Sequence, residues 1–378
     1  MALDSSNASR SVSELNSLAA TSISLLEKLE SALLADGTDN TPQASPSESS
    51  PVPLDAFALA HDSATLIKAH SAKISLFIIN EPFTPTAISK VLRDLVSGPI
   101  PALSSAVQSC DARRYTQLVR RHLALACYTV MKELRELIQR IPQDGRVLAG
   151  EAKHGSADIG RKGSIIATGT LWSACDAVVG FATTGIQKHL VQKAQALNDD
   201  LKDVMDELKD WGDEVPSDAE EDEGLPKAMA EPSDSPSSSA QDMLDQFMSS
   251  HKTIPAEDPD RIRERLETCL GRLRLTTLLY QAIIKRRLKS LPPLPTSEPS
   301  GLPQRLDELF TILRQIPDRY CDLAAAFYDL NAGEIDVVMD QCVFDACAAS
   351  DLVLKPFEGK PDAFTTWAEK FQIEIRKK

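Results

Sequence analysis

An all-α chain of two helical bundles joined by a disordered acidic linker is what the sequence predicts. Three observations carry that expectation. Apolar residues recur at steps of three and four through most of the 378 residues, the spacing of one helical face. Leu and Ala dominate over Val, Ile and Tyr, a balance that favours helix over sheet. No alternating run of strand-forming residues is long enough to propose a sheet.

The elements follow in order. Val12, Leu15, Ala19, Ile23, Leu26 and Leu33 share one face, giving an N-terminal amphipathic helix within 1–35. The Ser- and Pro-rich run 36–53 cannot bury enough surface to offset the entropy of ordering, so a flexible linker is expected there. An N-terminal bundle then covers 54–212. Its first helix, 55–79, takes Asp55 as N-cap and turns Leu59, Leu66, Ile67, Ile74 and Ile78 inward. The next has Thr84 as N-cap, Pro85 at the first helical position and Gly98 past the end. Helices over 100–109 and 111–140 precede a Gly-rich, charged loop at 142–163. Helix signals resume at Ser164 and run to Trp211, with a break near Gly185.

The tract 213–242 is acidic and grades into Pro and Ser, and it is the expected disordered boundary before a C-terminal bundle at 243–378. In that bundle Asp258 caps a long helix with Pro259 at its first position, and "KRRLK" at 285–289 ends it. Helices over 303–316, 318–330, 333–354 and 362–375 complete the chain.

A formal net charge of −14 opposes sequence-independent binding to nucleic acid or to an anionic membrane, because both need clustered Lys and Arg. The seven cysteines are scattered and include no C-x-x-C pair, so a zinc or redox motif is not indicated and reduced, intracellular thiols are expected. The N-terminus has neither a basic start nor an apolar core of a secretory signal.

The run "LWSACDAVVG" at 171–180 sets Trp172, Cys175 and Asp176 among small apolar residues. As a membrane span it is opposed by Asp176, which costs about 3 kcal/mol at the bilayer centre. As a nucleophile, Cys175 lacks an adjacent base, since His154 sits in a loop and His189 on a polar face, and Asp176 raises rather than lowers its pKa. As a packed helix, Trp172, Cys175, Val179 and Ala182 share a buried face, with small residues at 174, 177 and 180 admitting a neighbour. The indole N–H and the carboxylate each then need a partner. A second aromatic-x-Ala-Cys stretch, Phe344 to Cys347, fits an internal duplication and a chance match equally well.

The segment "GTLWSACDAVVGFA", followed by "VQKAQALNDDLKDVMDELKDWGDE", resembles the GCIP family, the cyclin-D-interacting proteins that include maternal Id-like proteins. Trp172, Ala174, Cys175 and Asp176 match that family's W-x-A-C-D signature, which precedes a heptad-bearing helix and an acidic stretch. The resemblance implies talin-rod-like bundles, no enzymatic activity, no cofactor, and partners among D-type cyclins and helix-loop-helix transcription factors, in both cytoplasm and nucleus. The chain departs from the pattern in its Ser/Pro runs at 36–53 and 231–239. It has no basic region before the heptad helix, so direct DNA contact is not implied.

Leu190, Ala194, Leu197, Leu201, Val204, Leu208 and Trp211 alternate steps of four and three, the a/d pattern of a coiled-coil seam. Two occupants fit it: a helix of the same bundle, or a partner helix laid into the groove. No residue is nominated as catalytic, metal-binding or cofactor-binding. The function expected is a non-enzymatic interaction protein regulating cell cycle or transcription through helix-mediated contacts. The alternative is a cytoskeletal or trafficking adaptor built on talin-like bundles.

Overall fold

The computed structural model describes residues 2–38, 55–148, 158–214, 253–296, 301–357 and 361–377, and among them there are helices and turns but no strand. The expected linker at 36–53 beyond residue 38, and the acidic tract from 215 onward, lie outside the described residues.

The chain forms two units, and the acidic tract does not separate them. One comprises Met1–His189 with Pro293–Asp307, the other Leu190–Pro292 with Glu308–Lys378. The boundary expected at 213–242 is therefore corrected to His189, because the helix after it buries its apolar stripe among helices of the C-terminal half.

The first unit holds α1 (Ala2–Thr38), α2 (Ala56–Ile79), α3 (Pro85–Ser97), α4 (Pro99–Ser109), α5 (Ala112–Tyr115), α6 (Gln117–Gln139) and α7 (Asp158–Thr184). α1 packs on α6 and α3, while α7 packs on α2 and α6. Asp55 caps α2 as expected, accepting from the backbone N–H of Phe57 at 3.0 Å and of Ala58 at 3.3 Å. Leu66 points outward, because the inner face of α2 is built from Ala60, Ala64, Ile67, Ile74 and Ile78. Thr84 makes no capping bond to α3; its hydroxyl donates to the Pro82 carbonyl instead, at 3.0 Å.

The helix expected over 111–140 is divided at Thr116, whose φ of 106° is a left-handed conformation a threonine adopts only under constraint. The constraint is the start of α6. Thr116 Oγ1 accepts from Val119 N–H at 3.1 Å, and Asp307 accepts from Gln117 and Leu118 N–H at 2.6 and 2.9 Å. A carboxylate is thus held at the positive end of the α6 dipole. Arg114 Nε also donates to the Thr296 carbonyl at 2.8 Å, so two anchors tie 293–307 to this unit. Inside it, Glu30 of α1 pairs with Arg135 of α6 at 2.8 Å, both largely buried.

The second unit holds α8 (Ile186–Asp213) from Leu190 on, α9 (Ile262–Arg286) with a 3-10 turn at Leu288–Ser290, α10 (Gly301–Tyr328) from Glu308 on, α11 (Ala332–Val353) and α12 (Ala363–Ile375). Asp258 does bond to the start of α9, but to Ile262 and Arg263 N–H at 2.7 and 2.9 Å rather than across Pro259. The helices expected at 303–316 and 318–330 are one helix through Pro317. A mid-helix proline costs about 3 kcal/mol. Here Leu313, Ile316, Tyr320 and Leu323 are all buried around it, and packing on that scale exceeds the cost.

Candidate interaction site

Helix α7 carries the residues singled out in the sequence. Its buried stripe is Ala167, Leu171, Ala174, Cys175, Val178 and Phe181, at steps of three and four. Trp172 lies one residue off that stripe and is 38% exposed, so the buried position expected for it is corrected. Gly180 and Ala177 are exposed, and a Cβ at Gly180 would meet nothing within 4 Å. Of the three small residues only Ala174 lies on the buried face, so Ala177 and Gly180 do not mark a helix crossing.

Trp172 and Asp176 stand one turn apart on the rim facing α2, and both find the partners their chemistry requires. The indole Nε1 donates to Ser71 Oγ at 3.1 Å. Lys68 Nζ reaches both Asp176 oxygens at 2.6 and 2.7 Å, and lies 5.9 Å from the Trp172 ring centroid, within range of a cation–π contact. Sequence reasoning missed Lys68 and Ser71. They lie one turn apart on α2, but nothing local in "TLIKAHSAK" says which helix they face.

Cys175 is fully buried beneath this rim. Burial and then the Asp176 carboxylate push its thiol up to about 12, with Lys68 pulling the other way. A thiol held protonated at neutral pH and shut away from solvent is a poor nucleophile. His189 instead meets Phe181 edge-on and His122 at a tilt, ring centroids 4.8 and 4.5 Å away; His154 lies outside the described residues. Among the described residues no group of three or more His, Cys, Asp or Glu is placed to hold a metal ion.

Residues 162–184 are long and apolar enough to cross a membrane by length and composition. Two faces account for that composition. The inner one fills the contact with α2 and α6, and at its edge the exposed Thr170 donates to Glu133 at 3.0 Å. The outer one shows Ile165, Ile166, Gly169, Trp172 and Ser173 to solvent, and no charged residue occurs from 163 to 175. An uncharged, exposed apolar face is one form that an interaction surface takes.

The heptad seam on α8 is filled from within its own unit. Leu190, Ala194, Leu197, Leu201, Val204, Leu208 and Trp211 are all buried. Trp211 meets Phe327 and Tyr328 of α10, ring centroids 6.1 and 5.5 Å apart, and Tyr328 Oη donates to Glu207 at 2.8 Å. Gly212 lies so close to Leu266 of α9 that a Cβ would collide with it. Of the two occupants open to the seam proposed for a partner at Leu190, Leu197, Leu201, Val204, Leu208 and Trp211, the structure shows the internal one: the stripe is buried, and α9 and α10 meet its C-terminal end.

The second aromatic-x-Ala-Cys stretch repeats the α7 disposition on α11. Phe344 is exposed and Ala346 and Cys347 are buried, while Asp345, which stands where α7 has Ser173, is buried and pairs with Arg319 of α10.

Residues 60–214 match the family model described as Grap2 and cyclin-D-interacting, N-terminal. The matched span takes in α2 to α8 and so includes both the α7 rim and the filled seam. Beyond that span, an uncharacterized protein of Schizosaccharomyces pombe is 23% identical over 338 residues, covering 88% of this chain and 87% of that protein. The likeness thus extends across both units.

Proposed function

We propose, from the match of residues 60–214 to the Grap2 and cyclin-D-interacting family model, that this chain is a non-enzymatic protein-binding protein. Its partners are of the D-type cyclin class, and its role is regulation of the cell cycle and of transcription, in cytoplasm and nucleus. The family match is the observation that carries this reading. The structure adds support in the outer face of α7, where Ile165, Ile166 and Trp172 lie exposed within the matched span. Such a face suits a partner that offers an apolar helical surface of its own. The buried, protonated Cys175 is consistent with binding rather than catalysis.

A helix-loop-helix factor cannot enter the α8 seam while α9 and α10 fill it, so on this reading such factors use an exposed face or none. The test is calorimetric titration of a purified D-type cyclin into the full chain. Saturable binding with Kd of about 10 μM or tighter, weakened at least about tenfold by Ile166→Glu, is the expected result. No heat of binding at about 100 μM would overturn it.

A further inference from the structure

The second unit contains a preformed cleft of about 350 Å3 between α9 and α12, outside the family-matched residues. Its apolar lining is Leu278, Ala282, Ala363, Phe364 and Trp367, and Leu278 is 45% exposed. The α12 wall is held firmly. Phe364, Trp367 and Phe371 stack in sequence with centroids 5.6 and 5.5 Å apart. Asp362 and Thr365 form a capping box at its start. The buried Arg287 guanidinium sits 4.2 Å over Phe364 while pairing with Asp362 at 2.8 Å and donating to the Val353 carbonyl at 2.7 Å. A wall fixed this way costs little ordering when a ligand arrives.

Charge identifies the occupant. Arg265 and Arg272 on α9 each pair with a carboxylate, as do Arg261 just before its start and Arg287 just beyond its end. Lys285 and Arg286, which line this cleft, are exposed and have no ion pair among the described residues. Two uncompensated cations beside an apolar floor, in a chain of net charge −14, ask for an apolar side chain flanked by carboxylates. The chain's net negative charge disfavours nucleic acid and anionic membranes as the source of that negative charge.

We propose that the cleft between α9 and α12 docks an acidic peptide segment of a partner protein, with an apolar side chain against Leu278 and Trp367 and carboxylates on Lys285 and Arg286. Steering by charge raises the rate of encounter, and the apolar contact holds the segment once seated.

Fluorescence polarisation on the full chain tests this, with a labelled peptide EEDLLDFLEE and its counterpart KKKLLKFLKK, in which lysines replace the acidic residues. The acidic peptide binds saturably, the basic one does not, and affinity falls at least about tenfold in the Lys285→Glu, Arg286→Glu double variant and on raising salt from about 50 to 500 mM. Both substituted residues are exposed, so circular dichroism of the double variant stays that of the wild type. Trp367→Ala weakens binding without altering its salt dependence. Equal binding of the two peptides, or unchanged affinity in the double variant, would overturn the proposal. So would a tenfold gain in affinity on deleting residues 215–248, which assigns the cleft to the chain's own acidic segment. A dimer abolished by Trp367→Ala would assign it to a second copy and overturn it equally.

Discussion

Trp172 and Asp362 show how single side chains set the local energetics. Because Trp172 is part-exposed and bonded to Ser71 rather than buried in the core, Trp172→Ala is expected to cost about 1–2 kcal/mol, less than the 3–5 of a core aromatic. Trp172→Phe, which keeps the ring and loses the indole N–H, should cost about 1 kcal/mol. Urea denaturation distinguishes these values, and a Trp172→Ala loss above about 3 kcal/mol would return the residue to the core. The error made from sequence was one residue wide: Trp172 is one turn from Cys175, but the buried stripe runs through its neighbour Leu171. Asp362 gives a pH dependence. Its hydrogen bonds from Arg287 hold the carboxyl well below the usual carboxylate range, against an opposing effect of burial. A depressed folded-state pKa stabilises the fold above the unfolded value of about 4, and this contribution is lost as pH falls through the folded value. The wild type should therefore lose more stability between pH 7 and pH 3 than Asp362→Asn does. Parallel losses in the two proteins would show that Asp362 contributes no linkage.

At the scale of elements, periodicity revealed the inward stripe of α8 but misplaced Leu66 on α2 and Trp172 on α7. The a/d spacing of α8 marked seven residues, and all seven are buried. What covers them was not legible, because Phe327 and Leu266 lie far along the chain and carry no mark that they face α8. Leu201→Ala is expected to cost about 2–5 kcal/mol, as a cavity in a filled core does. A loss below about 1 kcal/mol would mean the seam is open to solvent or to a partner. Caps divide the same way. Asp55 was legible because the N–H groups it accepts from are two and three residues on. Asp307 was not, because it caps α6 from 189 and 190 residues away. Asp307→Ala should destabilise the first unit by about 1–2 kcal/mol through the lost N-terminal bonds, and hydrogen exchange at Gln117 and Leu118 should speed up while α8 stays protected. Unchanged exchange at those amides would remove Asp307 from the α6 N-terminus.

For the whole molecule, composition located a boundary at 213–242, and packing located it elsewhere. An acidic, Ser- and Pro-rich run shows only that a stretch has little to bury; it does not say which helices on either side belong together. The helical class and the two-part organisation were legible from period and composition, whereas the assignment of 190–212 and 293–307 depends on contacts between residues distant in sequence. The consequence is that the chain passes from one unit to the other and back, so that the parts on either side of the acidic tract are not independent bundles. The α7 face and the α9–α12 cleft lie in different units, and each can be altered without touching the other's lining. The measurement that tests the account most directly is cleavage at a specific protease site placed between residues 224 and 240, followed by size-exclusion chromatography under native conditions. With the α8 seam packed on α9 and α10, and 293–307 anchored on Arg114 and α6, the two fragments should elute together as one species with the helicity of the intact chain. Fragments that separate while each keeps its helicity would contradict it, placing α8 with the N-terminal helices and its seam free to take a partner.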